Sequence, residues 1–241
     1  STLYHLGKKD LTLHPTGRSM PTTLWDDKVG INYNYNLSAS KNLSFSFNFG
    51  SASDRPFAAS DVLATSMMAR YSFASDQQSK WMLGLFYSSN STFLQNIPIP
   101  TFGYMYFSQK VFLMAGLPYI VLNWFMTDLW QYSLTLFGPS AQTEILYGAR
   151  RGLQGFVGWN WKPQSFMRYQ RQNKDDRIFY LEQKIYAGFK WPLLPFIHWN
   201  LQSGKSFNRK LHEGESLTKK AGGKLELKNS YFVQSGIEAN F

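Results

Sequence analysis

A chain of 241 residues with no cysteine has no disulfide framework, no thiolate metal site and no cysteine nucleophile. Charged residues are 17% of it and aromatics also 17%, yet the mean hydropathy is only −0.32, too polar for a bundle of membrane helices. The net charge of +10 calls for acidic partners, but the basic residues are scattered instead of gathered with stacking aromatics on one element, which argues against nucleic acid.

Residues 1–27 carry Pro15, Gly17 and Pro21 and alternate poorly. They are expected to form an N-terminal arm, a plug, or a first strand over Thr2–Leu13, with Ser1 following a cleavage site. From Lys28 the pattern changes. In 28–37, KVGINYNYNL, Val29, Ile31, Tyr33, Tyr35 and Leu37 alternate with Gly30, Asn32, Asn34 and Asn36. In 41–50, KNLSFSFNFG, Leu43, Phe45, Phe47 and Phe49 alternate with Ser44, Ser46, Asn48 and Gly50. Period two puts all the large apolar side chains on one face of a strand. The other face is Ser, Asn and Gly with almost no charge. That face suits a lumen, and the Phe/Tyr face suits lipid.

The same strand–turn–strand pattern runs on through 62–73, 80–90, 98–107, 110–117, 119–126, 130–138, 143–150, 153–162, 176–191, 195–203 and 231–241. The longest apolar stretch, Val111–Met126, contains Pro118 and Asn123 and falls short of the ~20 residues of a membrane helix. The polar stretch Gly204–Gly223 is the best long-loop candidate. The fold class this predicts is all-β: a transmembrane antiparallel up-and-down β-barrel over 28–241. It should have about twelve strands, within about ten to fourteen. Trp25, Trp81, Trp124, Trp130, Trp161 and Trp191 fall mostly near strand ends, where barrels carry aromatic girdles.

The last segment reads YFVQSGIEANF, with Gln234 and Gly236 preceding apolar residues that end on Phe241. It resembles the C-terminal folding signal by which bacterial outer-membrane barrels are received by the barrel-assembly machinery. Ala239 is smaller than that pattern favours. Over most of Lys28–Phe241 the chain also resembles an uncharacterised family of outer-membrane barrels. The residues that carry this are the opening hairpin, Pro98–Pro100, Gly116–Pro118 and Asn123–Trp124. The resemblance implies an outer-membrane location and a barrel, and no activity.

Strand parity turns Arg70, Glu144, Glu182, Lys184, Lys190, His198, Asn200 and Glu238 towards the lumen, together with Arg168. Glu182 and Lys184 stand about 7 Å apart on one face and compensate each other. His198 and Asn200 resemble in part the outer-membrane phospholipases, where a His and a Ser stand two apart on one strand with an Asn supporting the His. Here Asn200 occupies the serine's place, and Ser203 is too distant along the strand. Cofactor and metal sites are not expected. Three functions stay open: a non-enzymatic structural or accessory subunit of an outer-membrane complex, a small passive channel with mild anion preference, and a lipid hydrolase centred on His198. The expected partners are outer-membrane lipids, lipopolysaccharide and other proteins of such a complex. The bulk of Tyr180, Tyr186 and Phe232, all facing inward, favours the first.

Overall fold

The computed structural model describes residues 2–6, 11–13, 19–92, 94–150, 152–171, 173, 175–194, 197–218 and 220–239. Its strands in chain order begin with β1 (Thr2–His5), β2 (Thr23–Ser38), β3 (Lys41–Ser53), β4 (Leu63–Ala74), β5 (Ser79–Ser88), β6 (Ile99–Phe107), β7 (Val111–Leu117) and β8 (Tyr119–Phe125). They continue with β9 (Trp130–Phe137), β10 (Ser140–Gly148), β11 (Gln154–Trp161), β12 (Gln164–Phe166), β13 (Arg177–Leu194), β14 (Ile197–Gly214), β15 (Lys220–Glu226) and β16 (Ser230–Ala239). Each strand up to β11 pairs antiparallel with the next, β11 pairs with β13, and β13 with β14. Both β15 and β16 pair with β14, at Lys210–Gly214 and Ile197–Ser206 respectively, so together they form one interrupted strand.

Alternation sets the faces. Register places Ile31 beside Phe47, Met67 and Tyr87, and Tyr33 beside Phe45, Ala69 and Leu85, giving continuous outward apolar rows. Val29 and Ile31, on this face, are 70% and 71% exposed, part of a contiguous apolar outer surface. On β13 the outward apolar residues run from Ile185 to Leu193, which at ~3.4 Å per residue and ~40° tilt is a band roughly 20 Å tall. Trp81, Trp124, Trp130, Trp191 and Trp199 lie near the end with the short turns, and Trp25, Trp159 and Trp161 near the other. The longest connections, 6–22, 54–62, 89–98 and 162–176, all lie at that other end.

That long-loop end is capped from inside. Leu24, Ala52, Ile178, Tyr180 and Leu211 point inward and bury Leu6, Leu13 and Met20 of the N-terminal arm together with Phe166 of β12. β12 crosses the mouth as a strap. It pairs with Ile178–Tyr180 of β13, while the Met167 amide donates to the Ala52 carbonyl at 2.7 Å. Asn90 Nδ2 donates to the Ser165 carbonyl at 2.8 Å, Gln164 Nε2 donates to the Tyr4 hydroxyl, and the Tyr169 amide donates to Asp54 Oδ1 at 2.8 Å. The strap thus ties β13 to β1, β3 and the 89–98 loop. The Tyr4 ring meets Phe166 and Tyr180 edge-on at 5.6 and 5.7 Å, so the sheet curls until its first strand reaches β13.

Four expectations are corrected. Among the described residues there are sixteen strands rather than about twelve, because β1 and β12 are short pieces with no periodicity of their own and the last strand is interrupted. The sheet is not closed: it begins at β1 and ends at β15 and β16, with no ladder between them among the described residues. The expected loop Gly204–Gly223 is mostly strand, since β14 continues to Gly214 and β15 starts at Lys220. A bulge between Leu181 and Gln183, opposite Asn208 at φ 50°, shifts the parity there and erases the period-two signal. Arg168 does not face the lumen: it sits at the mouth beyond the strap, 3.9 Å from Glu213.

Candidate functional site

Across the inner face of β10–β16, register forms rows in which glycine alternates with large side chains. One row is Glu144, Gly158, Tyr186, Gly204 and Phe232, and the next is Gln142, Asn160, Lys184, Ser206 and Ser230. Gly158 matters because a Cβ there would lie 2.7 Å from the Tyr186 ring. Without that Cβ, the ring lies over Gly158 and its hydroxyl donates to Glu144 Oε1 at 2.9 Å, two strands away. Gln142 Nε2 donates to the same oxygen at 3.1 Å, and Lys190 Nζ is 3.6 Å from Oε2.

A second cluster centres on Glu182, which is 5% exposed. Its Oε2 accepts from the Tyr180 hydroxyl at 2.8 Å and from Ser206 Oγ at 2.7 Å, and Lys184 Nζ stands 2.8 Å from Oε1. Arg209 Nε donates to the Tyr180 oxygen at 2.8 Å, completing the chain Arg209–Tyr180–Glu182. The cations also lie over rings: Lys184 is 5.1 Å from the centre of Phe232, and Lys190 is 5.4 Å from that of Phe156. Both carboxylates are surrounded by donors. A carboxylate so held cross-braces the strands that supply its donors.

The opposite wall carries a lighter polar ladder. Asn42 Nδ2 donates to Asn36 Oδ1 at 2.9 Å, Asn48 Nδ2 to Ser66 Oγ at 3.3 Å, and Arg70 Nε to Ser44 Oγ at 3.2 Å. At the capped mouth a cavity of about 400 Å³ is lined by Arg168, Arg171, Asp176 and Glu213. Burial, reinforced by the nearby Arg171, holds Arg177 down to about 10.

Glu182, Lys184, Lys190 and Glu144 are therefore brought together in two neighbouring clusters, and Arg70 stands apart on β4. His198 lies near the short-turn end, opposite Pro192 on one side and Glu238 on the other, and Asn200 is opposite Lys190 and Gly236. Ser203 pairs with Ala187 and Val233 on the outward face, so no serine of this strand joins His198. Gln234 Oε1 accepts from Gln202 Nε2 at 3.0 Å. Gly236 faces the Asn200 side chain. Phe241, the last residue of the expected folding signal, and His14 lie outside the described residues. Arg209 escapes a reading by parity, because the bulge turns an odd-numbered residue inward; its position beside Asn208 is the only trace of this in the sequence. Among protein-family models, curated proteins and solved structures, none matches this chain.

Proposed function

We propose that the protein is a non-enzymatic β-barrel of the bacterial outer membrane, sealed across its lumen, that serves as a structural or accessory subunit. The observation that carries this reading is the strap. β12 and Met167 cross the long-loop mouth, fastened to β1, β3, β13 and Asn90, over a core that includes Leu13, Met20 and Phe166. Beneath it the Glu182 and Glu144 clusters fill the lumen with paired charge, and paired charge is how such groups are tolerated at membrane depth. Short turns at one end and long connections at the other are the asymmetry of outer-membrane barrels, with the short turns periplasmic. The uncovered aromatic outer face supplies the lipid contact.

Planar-bilayer recording tests this. The intact protein is expected to be silent or weakly conducting, and deletion of Gln164–Met167 to raise the conductance severalfold. Large, stable conductance of the intact protein would replace this reading with that of a passive channel. Hydrolysis of phospholipid by the intact protein, lost in His198→Ala, would replace it with that of an enzyme.

A further inference from the structure

On the outer face of β10–β16 the rows of large side chains are interrupted. Ser203 pairs with Ala187, and Gly155 lies diagonally from Ala187 across the next ladder, so three small outward residues adjoin. The wall is hollowed there into two depressions of about 700 and 540 Å³, which share Val157, Ala187, Ser203 and Val233 and so form one groove. Its lower end is Trp130 and Tyr147, whose rings stand 4.8 Å apart, and its upper end is Ile185, Lys205 and Tyr231. Trp130 opens β9 directly after a short turn. From Ile197, at the same end, β14 climbs roughly 20 Å to Lys205. The groove therefore descends through the apolar band instead of running round it.

The charge is all at the upper end. Lys205 is exposed and shares its row with Trp159, Ile185 and Tyr231. Among the described outward residues of β10, β11, β16 and the stretches of β13 and β14 below the bulge, it alone is charged. A cation on a lipid-facing side is costly unless its flexible stem carries the ammonium up to the headgroups. Further cations continue upward from it on the outer side. Arg209 and Leu211 point inward, leaving Lys210 between them to face out. Leu225 and Leu227 also pack inward, which turns Lys224 and Glu226 outward, and Lys228 beyond them is exposed. Glu226 is taken up by Lys224, whose Nζ lies 2.6 Å from its Oε1. Lys205, Lys228 and Lys210 thus climb away from the groove with an excess of positive charge.

We propose that this face binds one molecule of lipopolysaccharide. An acyl chain of its lipid A lies in the groove over Ala187 and Ser203, and its phosphates sit on Lys205, Lys228 and Lys210. The inference rests on the barrel reading above, in which the long-loop end faces the outer leaflet. Charge complementarity selects the lipid. A common phospholipid presents a single phosphate to this climbing series of lysines, whereas lipid A carries phosphates at both ends of its sugar headgroup. The groove supplies the other half of the recognition. Among lipid tails an acyl chain gains nothing hydrophobic by burial, so what holds it is close packing into a hollow that passing chains would bridge over.

The test is titration of the purified protein in detergent micelles with lipid A, read by native mass spectrometry. The expected result is a one-to-one complex. Lys205→Gln should weaken it about fivefold, and Lys205→Gln combined with Lys228→Gln about twenty-five-fold, the effect of one and two cations at an anionic headgroup. Ala187→Phe, which fills the groove from the lipid side, should weaken it severalfold, while Leu85→Phe, outward on β5 of the opposite wall, leaves it unchanged. Lipid A stripped of its phosphates should bind no better than the parent lipid binds the double lysine variant. Phosphatidylglycerol held as tightly as lipid A overturns the proposal in favour of a phospholipid site. A protein dimer that lipid A fails to displace and Ala187→Phe breaks overturns it in favour of a second copy on this face. Equal affinity of the parent, Lys205→Gln and Ala187→Phe, all still migrating as heat-modifiable barrels, overturns it outright. Absence of heat-modifiable migration in the unmodified protein would instead remove the barrel reading itself.

Discussion

Replacing Glu182 by leucine removes the acceptor shared by Tyr180, Ser206 and Lys184 while nearly conserving volume. Ser206 is 2% exposed and Tyr180 1%, so their hydroxyls lose a partner that water does not readily replace. Breaking a buried ion pair by deleting one member costs about 3–5 kcal/mol. Two features lower that figure. The Lys184 side chain is 21% exposed and retains the Phe232 ring, and Tyr180 keeps its bond from Arg209. The expected loss is therefore about 2–4 kcal/mol, measured by urea unfolding of protein folded into lipid vesicles, and Glu182→Gln, which keeps an acceptor oxygen, should lose about 1–2 kcal/mol. Lys184→Met in the Glu182→Leu background should add little, because the lysine is already unpaired there. A Glu182→Leu protein within ~0.5 kcal/mol of the parent, or full additivity of the two changes, would refute the idea that this cluster braces the wall.

Gly158→Val should force the Tyr186 ring off Glu144, destabilising by about 1–3 kcal/mol through overpacking, and Tyr186→Phe added to it should cost little more. Unfolding curves in which the two changes simply add would contradict the shared cause. In the turn before β5, the Ser79 hydroxyl and the Gln78 amide donate to Asp76 and hold its carboxyl below the usual aspartate range. The stabilisation this gives the turn is present at neutral pH and is lost as pH falls through the depressed midpoint. NMR titration in micelles should show that midpoint rising in Ser79→Ala, and an unchanged midpoint would exclude the hydroxyl as its cause.

Much of the wall was legible because period two is a local signal. The Val29 and Phe45 faces, the Glu182–Lys184–Lys190 row and nearly every short turn follow from alternation alone. What alternation does not carry was missed. The strap, Gln164–Phe166, is three residues long and is fixed by bonds to Asn90, Ala52 and Tyr4, each far away in sequence. The upper half of β14 reads as a loop because the strand there rises beyond the apolar band, so polar residues stand on both faces, and because the bulge at Asn208 shifts the parity. The partnership of Tyr186 with Glu144 depends on the register of two ladders, which brings Gly158 between them.

The central claim is that strands, with alternating faces, carry this chain across a lipid bilayer. It is tested most directly by spin labels on single cysteines at Ser44 through Phe49 of β3, in protein reconstituted into vesicles. The account predicts oxygen accessibility that rises and falls with period two, high at Phe45, Phe47 and Phe49 and low at Ser44, Ser46 and Asn48. High accessibility to a water-soluble nickel chelate at Phe45 and Phe47, or no periodicity at all, would contradict it.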